Sequence, residues 1–175
     1  MSGSSQKTSN KSDLWNEKVT PKNYGESKQY YDHILEQYKM YVATAESVSS
    51  RRGLSNTYFL TLHTLIVTAL GILYENGFQI QSKWVVFMPL LGLLTLCWTW
   101  WRLNQSYKQL NDAKFKVIDE FEKHLPTMPF VSAEWRVLGE GKDPKLYRSL
   151  SDVENWVPII FAGLYAFGSI LILFA

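Results

Sequence analysis

Apolar positions gather into three blocks, Leu54–Tyr74, Trp84–Trp101 and Trp156–Ala175, and none of them contains Asp, Glu, Lys or Arg. A helix over the first block rises about 31 Å at ~1.5 Å per residue, which matches the thickness of a bilayer's hydrocarbon core. The pattern predicts an all-α integral membrane protein with three transmembrane helices, at 54–74, 84–101 and 152–175. A capping box, Ser151-Asp-Val-Glu154, opens the third, and Pro158 falls in its first turns, where proline is tolerated.

The polar segments have a pattern of their own. Over 26–53, Tyr31, Ile34, Leu35, Tyr38, Val42, Ala45 and Val48 recur at three- and four-residue steps, opposite Asp32, Glu36, Lys39 and Glu46. This predicts an amphipathic helix that Ser27 can cap and that runs into the first span. After Arg102, Leu103, Tyr107, Leu110, Lys114, Val117 and Phe121 alternate steps of four and three, so the second helix is expected to run on over 102–125 until Pro126 and Pro129 stop it. Trp98, Trp100 and Trp101 ahead of Arg102 read as an interfacial aromatic belt with a cationic stop. Residues 1–25 are polar and read as a disordered tail, with Leu14 and Trp15 the candidates for docking. Residues 75–83 form a turn broken at Asn76-Gly77. Residues 126–151 form a loop layer in which Phe130–Leu138 is a candidate extended stretch and Gly139, Gly141 and Pro144 mark turns.

Charge sets the expected orientation. Lys and Arg number eight in 1–53, nine in 102–155 and one in 75–83. By the positive-inside rule both basic segments, with the N-terminus, lie in the cytoplasm and the C-terminus lies outside. No apolar core precedes the first block, so that block is expected to serve as the insertion signal.

Polar side chains inside the spans are the candidate functional groups. Thr57, Thr61, Thr64 and Thr68 share one face of the first span, and Asn56 and His63 share a neighbouring one. An intramembrane ionisable group such as His63 marks either an ion or proton path or a hydrogen bond between helices. The threonines can line a pore or pack against a neighbouring helix, bonding back to carbonyls one turn earlier. Ala162, Ala166 and Ser169 are spaced for close helix approach.

Other chemistry is thinly represented. Net charge is +2, too balanced to argue for a nucleic-acid partner. The one cysteine, Cys97, can form no intramolecular disulfide and reads as a small buried or lipid-facing side chain. Gly139-Glu-Gly-Lys142 is not a phosphate loop, because Arg136 stands where the first glycine belongs and Asp143 where Ser or Thr is needed. His33 and Glu36 lack a second ligand pair, and no nucleophile has a matching base. No catalytic residue, metal site or cofactor is expected.

Three stretches carry a family resemblance: His33-Ile-Leu-Glu-Gln-Tyr-Lys-Met-Tyr-Val42; Ser50-Arg-Arg with Asn56-Thr-Tyr-Phe-Leu-Thr61; and Trp101-Arg102, Ser106-Tyr107, Gln109-Leu110-Asn111, Lys114-Phe-Lys-Val-Ile118, with Trp135, Val137-Leu-Gly139, Gly141-Lys-Asp-Pro-Lys-Leu-Tyr147 and Glu154-Asn-Trp156. Over about residues 30–175 the chain resembles the RipA family of octameric membrane proteins from bacteria. The resemblance implies a homo-octamer in the bacterial inner membrane with no enzymatic activity, in a family whose namesake is associated with growth of a pathogen inside host cells. It further implies that Tyr38, Arg51, Arg52, Asn56, Lys114, Trp135, Lys142, Asp143 and Tyr147 are assembly or structural positions. Only in outline does the chain resemble small helical membrane effectors of antiphage systems, to which it adds a third span. The expected function is a ring-shaped membrane scaffold with itself and lipid as partners. The alternative is an oligomeric channel or membrane-disrupting effector that uses the Thr/His face.

Overall fold

The computed structural model describes residues 14–77, 84–143, 145–147 and 150–174. Its elements are α1 (Ser27–Glu75), α2 (Trp84–Glu122), a π-helical turn (Pro129–Glu134), a short α3 (Trp135–Val137) and α4 (Leu150–Phe174). Expectations that fall on residues 1–13, residues 78–83 of the 75–83 turn, Pro144 and the Ser151 cap lie outside the described residues or side chains.

The amphipathic segment and the first apolar block form one uninterrupted helix of 49 residues. At ~1.5 Å per residue it is roughly 74 Å long, more than twice the hydrocarbon thickness. Gly53 stays helical because flanking residues on both sides already satisfy the backbone ladder. The helix ends where the sequence predicts: Asn76 N–H and Nδ2 both donate to the Ile72 carbonyl (3.1 and 2.7 Å), and Gly77 takes the left-handed φ of 73° that closes a helix C-terminus.

α2 likewise runs unbroken from the second apolar block into the polar region. It stops at Glu122 rather than near Leu125, because His124 and Leu125 donate three residues back to Phe121 and Glu122 and tighten the last turn ahead of Pro126. The extended stretch expected at Phe130–Leu138 is helical instead. Glu122 explains this, since its carboxylate accepts the backbone N–H groups of Phe130 and Val131 (both 3.2 Å), leaving them to no strand partner. Gly139, Glu140 and Gly141 then follow with φ of 66°, 54° and 69°, a left-handed run that reverses the chain.

α2 lies between α1 and α4 and packs on both. At 100° per residue, Ile34, Ala45, Val48, Arg52, Asn56, Phe59 and His63 share one face of α1. Ile34, Ala45, Val48, Phe59 and His63 of that row are buried, against an α2 face of Leu93, Cys97, Trp100, Asn104, Ile118 and Phe121. Tyr31 and Leu35, on the edge of the predicted stripe, stay exposed. Residues 14–26 do not behave as a free tail. Trp15 lies over the α2 end, 5.8 Å from the Phe121 ring and 4.1 Å from His124, and a cavity of about 250 Å³ opens between this segment and α1.

By length and composition α1 and α4 are each able to cross a membrane.

Candidate functional site

His63 is fully buried and faces the bundle interior. Its Nδ1 lies 2.7 Å from the Tyr165 hydroxyl on α4, and its Nε2 lies 3.9 Å from Cys97 Sγ on α2. Trp100, Phe161 and Tyr165 stack around the imidazole with ring centroids 5.1–5.6 Å away. The tyrosine hydroxyl donates most simply to a neutral Nδ1, leaving Nε2–H directed at the sulfur.

Trp100 departs from the aromatic belt read from sequence. It is 2% exposed, whereas Trp98 is 61% exposed. Two residues along a helix is a 200° turn, so the two indoles point to opposite faces. Trp100 stacks on Phe59 with 9° between planes, and its Nε1–H donates to Asn56 Oδ1 at 2.7 Å.

One turn toward the polar end, α1, α2 and α4 meet through charge. Arg52 Nε lies 3.0 Å from Glu154 Oε2, close enough for an ion pair though not aligned as a hydrogen bond. Lys108 pairs with Asp152 at 2.7 Å. Pro158 has no N–H, so the Glu154 carbonyl four residues earlier lacks its helical partner. Asn104 Nδ2, from α2, donates to that carbonyl at 3.3 Å. A proline in α4 and an asparagine in α2 thus form one joint.

Near the N-terminal end of α1 and the C-terminal end of α2, Tyr38 donates to Glu122 Oε1 at 3.1 Å. Burial, the hydrogen bond and the carboxylate's charge push the Tyr38 hydroxyl up to about 12. Lys114 donates to Thr44 at 2.8 Å and lies 4.6 Å above the Tyr41 ring, which explains a lysine on the apolar stripe. Trp135 packs edge-on to Tyr147 at 6.4 Å and so close to Gly141 that a Cβ there would lie 3.1 Å from the indole. Lys142 pairs with Glu140, holding that carboxyl below its ordinary value, while Asp143 turns the chain by accepting the backbone N–H of Lys145 at 2.9 Å. Arg51 is exposed.

The threonines and His63 are not brought together. Thr57, Thr61, Thr64 and Thr68 are exposed, roughly opposite the face of α1 that packs on α2. Thr57, Thr64 and Thr68 donate back to the carbonyls of Gly53, Leu60 and Thr64 at 2.8–3.1 Å. Ala162 and Ala166 are half-buried on α4, and a Cβ at Gly163 or Gly168 would meet nothing within 4 Å. Sequence reasoning missed Glu122, which is fully buried with three donors on its carboxylate, and Tyr165. Glu122 had a signal: it follows Ile118 by four residues and so continues the apolar seam of α2.

Long helices with apolar spans, packed through a buried histidine–aromatic cluster and interhelical polar joints, define an all-helical membrane protein. Residues 35–174 match the octameric membrane protein family (8xMP), and the chain belongs to that family. Comparison with curated proteins and with solved structures returns no match.

Proposed function

We propose that the protein is a non-enzymatic scaffold of the bacterial inner membrane, a ring-shaped homo-octamer with a cytoplasmic helical and loop layer. Each subunit crosses the membrane three times, with α2 contributing its uncharged Trp84–Trp101 segment as the span between α1 and α4. The N-terminus is cytoplasmic and the C-terminus periplasmic, as the Lys and Arg distribution favours. In that role the ring supports stress survival or adaptation to a host.

One observation carries the scaffold reading. Tyr31, Leu35, Met40, Leu110, Phe115 and Val137 are exposed on segments outside the apolar blocks, where lipid does not cover them. Neighbouring copies in a ring can bury them, as membership of an octameric family supports. Native mass spectrometry from nanodiscs tests this, with eight copies expected; a monomer under conditions that keep α1 and α2 folded removes the reading.

The exposed threonine row of α1 favours a second reading, an oligomeric channel or membrane-disrupting effector with that row facing a lumen. Flux from protein-containing liposomes that Thr61→Leu and Thr64→Leu suppress would support it. Absence of flux, or flux indifferent to both changes, eliminates it.

A further inference from the structure

Two arginines stand at the height where α1, α2 and α4 meet, yet take no part in that joint. Arg52 pairs with Glu154 and Lys108 with Asp152, whereas Arg51 and Arg102 are exposed. Among the described residues, no carboxylate lies within ion-pair distance of either. An arginine stays charged at any physiological pH and presents five N–H donors in a planar fork. Both forks are left open to an anion from outside the subunit.

Their height along the bundle follows from the interhelical contacts. His63 meets Tyr165 and Arg52 meets Glu154, so α1 and α4 run parallel, with Leu54 level with Trp156. Trp100 meets both Asn56 and Phe59, so α2 runs antiparallel, with Arg102 level with residues 54–57. Arg51, Arg102 and Trp156 therefore fall within about 9 Å of one another along the axis, at ~1.5 Å per residue. Three exposed rings, Tyr58, Trp98 and Trp156, border this band. Arg51 precedes Tyr58 by seven residues and Arg102 follows Trp98 by four. At 100° per residue each cation thus shares a helix face with an exposed ring and sits on its polar side. At the other end of the apolar blocks Trp84 is also exposed. It is level with residues 72–75 of α1, about 27–32 Å from Trp156 along the axis. That separation is the thickness of a hydrocarbon core bounded by two aromatic belts.

We propose, resting on the three-span reading above, that Arg51 and Arg102 form a binding surface for anionic phospholipid headgroups at the cytoplasmic edge of the bundle. Charge complementarity and depth select this occupant. A cation on the polar side of an interfacial ring lies where a headgroup phosphate lies, and a phosphate accepts the parallel N–H bonds of a guanidinium. The surface fixes the depth of the bundle and gives it a preference for a leaflet rich in anionic lipid.

The test uses the full chain in nanodiscs of mixed phosphatidylglycerol and phosphatidylcholine. The readout is the lipid that stays bound on release into a mass spectrometer. Wild type is expected to retain phosphatidylglycerol beyond its share of the bilayer. Arg51→Gln and Arg102→Gln are each expected to lower that preference roughly fivefold, and the double variant about 25-fold. Lys116→Gln removes an exposed charge about 21 Å further along α2 and is expected to change nothing. A preference unchanged in the double variant, or lost equally with Lys116→Gln, overturns the proposal. A double variant that keeps its helices but loses its neighbours assigns the arginines to carboxylates of an adjacent copy and overturns it too. Glu75→Cys, probed with an impermeant maleimide in right-side-out vesicles, tests the three-span reading separately, since the native Cys97 is buried. Labelling from outside without any lipid preference removes this proposal alone; labelling only from inside removes both.

Discussion

Glu122 shows how much one side chain can organise. It joins α1, through Tyr38, to the turn that follows α2, through the N–H groups of Phe130 and Val131. Glu122→Ala strands three donors in the interior and is expected to destabilise the α1–α2 pair by roughly 2–4 kcal/mol, read as a lower unfolding midpoint. Glu122→Gln keeps one acceptor oxygen and should fall between wild type and Ala. The Tyr38 hydroxyl provides a pH test. Its value is raised from 10.0 to about 12 on folding, so its contribution is fully present below pH 10.0 and lost as pH rises towards about 12. Tyr38→Phe should therefore cost stability at neutral pH and flatten the alkaline limb of the stability curve between those values; an unchanged alkaline limb would mean that Tyr38 is not the group responsible. Between α1 and α4, a double-mutant cycle of His63→Phe and Tyr165→Phe is expected to return a coupling of about 0.6–2 kcal/mol, the range for interhelical hydrogen bonds in lipid.

At the scale of the element, α1 joins its polar segment to its apolar block in one uninterrupted helix. Gly53 sits at the junction, is helical, and has nothing within 4 Å of a Cβ built on it. Gly53→Ala should stabilise by up to ~1 kcal/mol through helix propensity, and Gly53→Pro should cost about 3 kcal/mol by breaking the ladder. Thermal unfolding measures both, and a loss of stability with Ala would show that a neighbouring subunit packs against this glycine. Pro158 and Asn104 make the complementary point for α4. The helix tolerates a proline that is fully buried because α2 supplies a donor for the freed carbonyl. Asn104→Leu should therefore destabilise wild type more than it destabilises a Pro158→Ala background, where the helix bonds its own carbonyl.

For the whole molecule, α1 and α4 present apolar faces that the single subunit leaves uncovered, including Leu65 and Val67 on α1 and Leu164 and Phe167 on α4. Lipid can cover those in the spans, but Leu35 and Leu110 lie beyond the apolar blocks. Leu35→Glu and Leu110→Glu are expected to reduce the oligomer number in native mass spectrometry while leaving the helical circular-dichroism signal intact. A variant that stays fully assembled would exclude that residue from the interface. The architecture was largely legible in advance. Ile34, Ala45 and Val48 recur at helical spacing because one face must pack, and Asn76-Gly77 carries the geometry of a helix end. Less legible were Trp100, Phe130–Leu138 and Leu14–Glu26. Trp100 sits in a run of three tryptophans that local pattern reads as a belt, and only the facing Asn56 and Phe59 distinguish it. Phe130 and Val131 have strand-like side chains, yet a carboxylate eight and nine residues earlier takes their N–H groups.

The sequence by itself determined where the three long helices lie and, over 26–53, most of the face that α1 buries, because periodicity is a local property of a chain. It also contained the family, as the match over residues 35–174 shows. Only tertiary structure decided the partners: His63 with Tyr165 rather than with the threonines, Asn104 with a carbonyl released by Pro158, and Glu122 with Tyr38. Those pairs are separated by 50–102 residues. Which buried polar groups meet is set by the register of one helix against another, and no repeat along the chain encodes it.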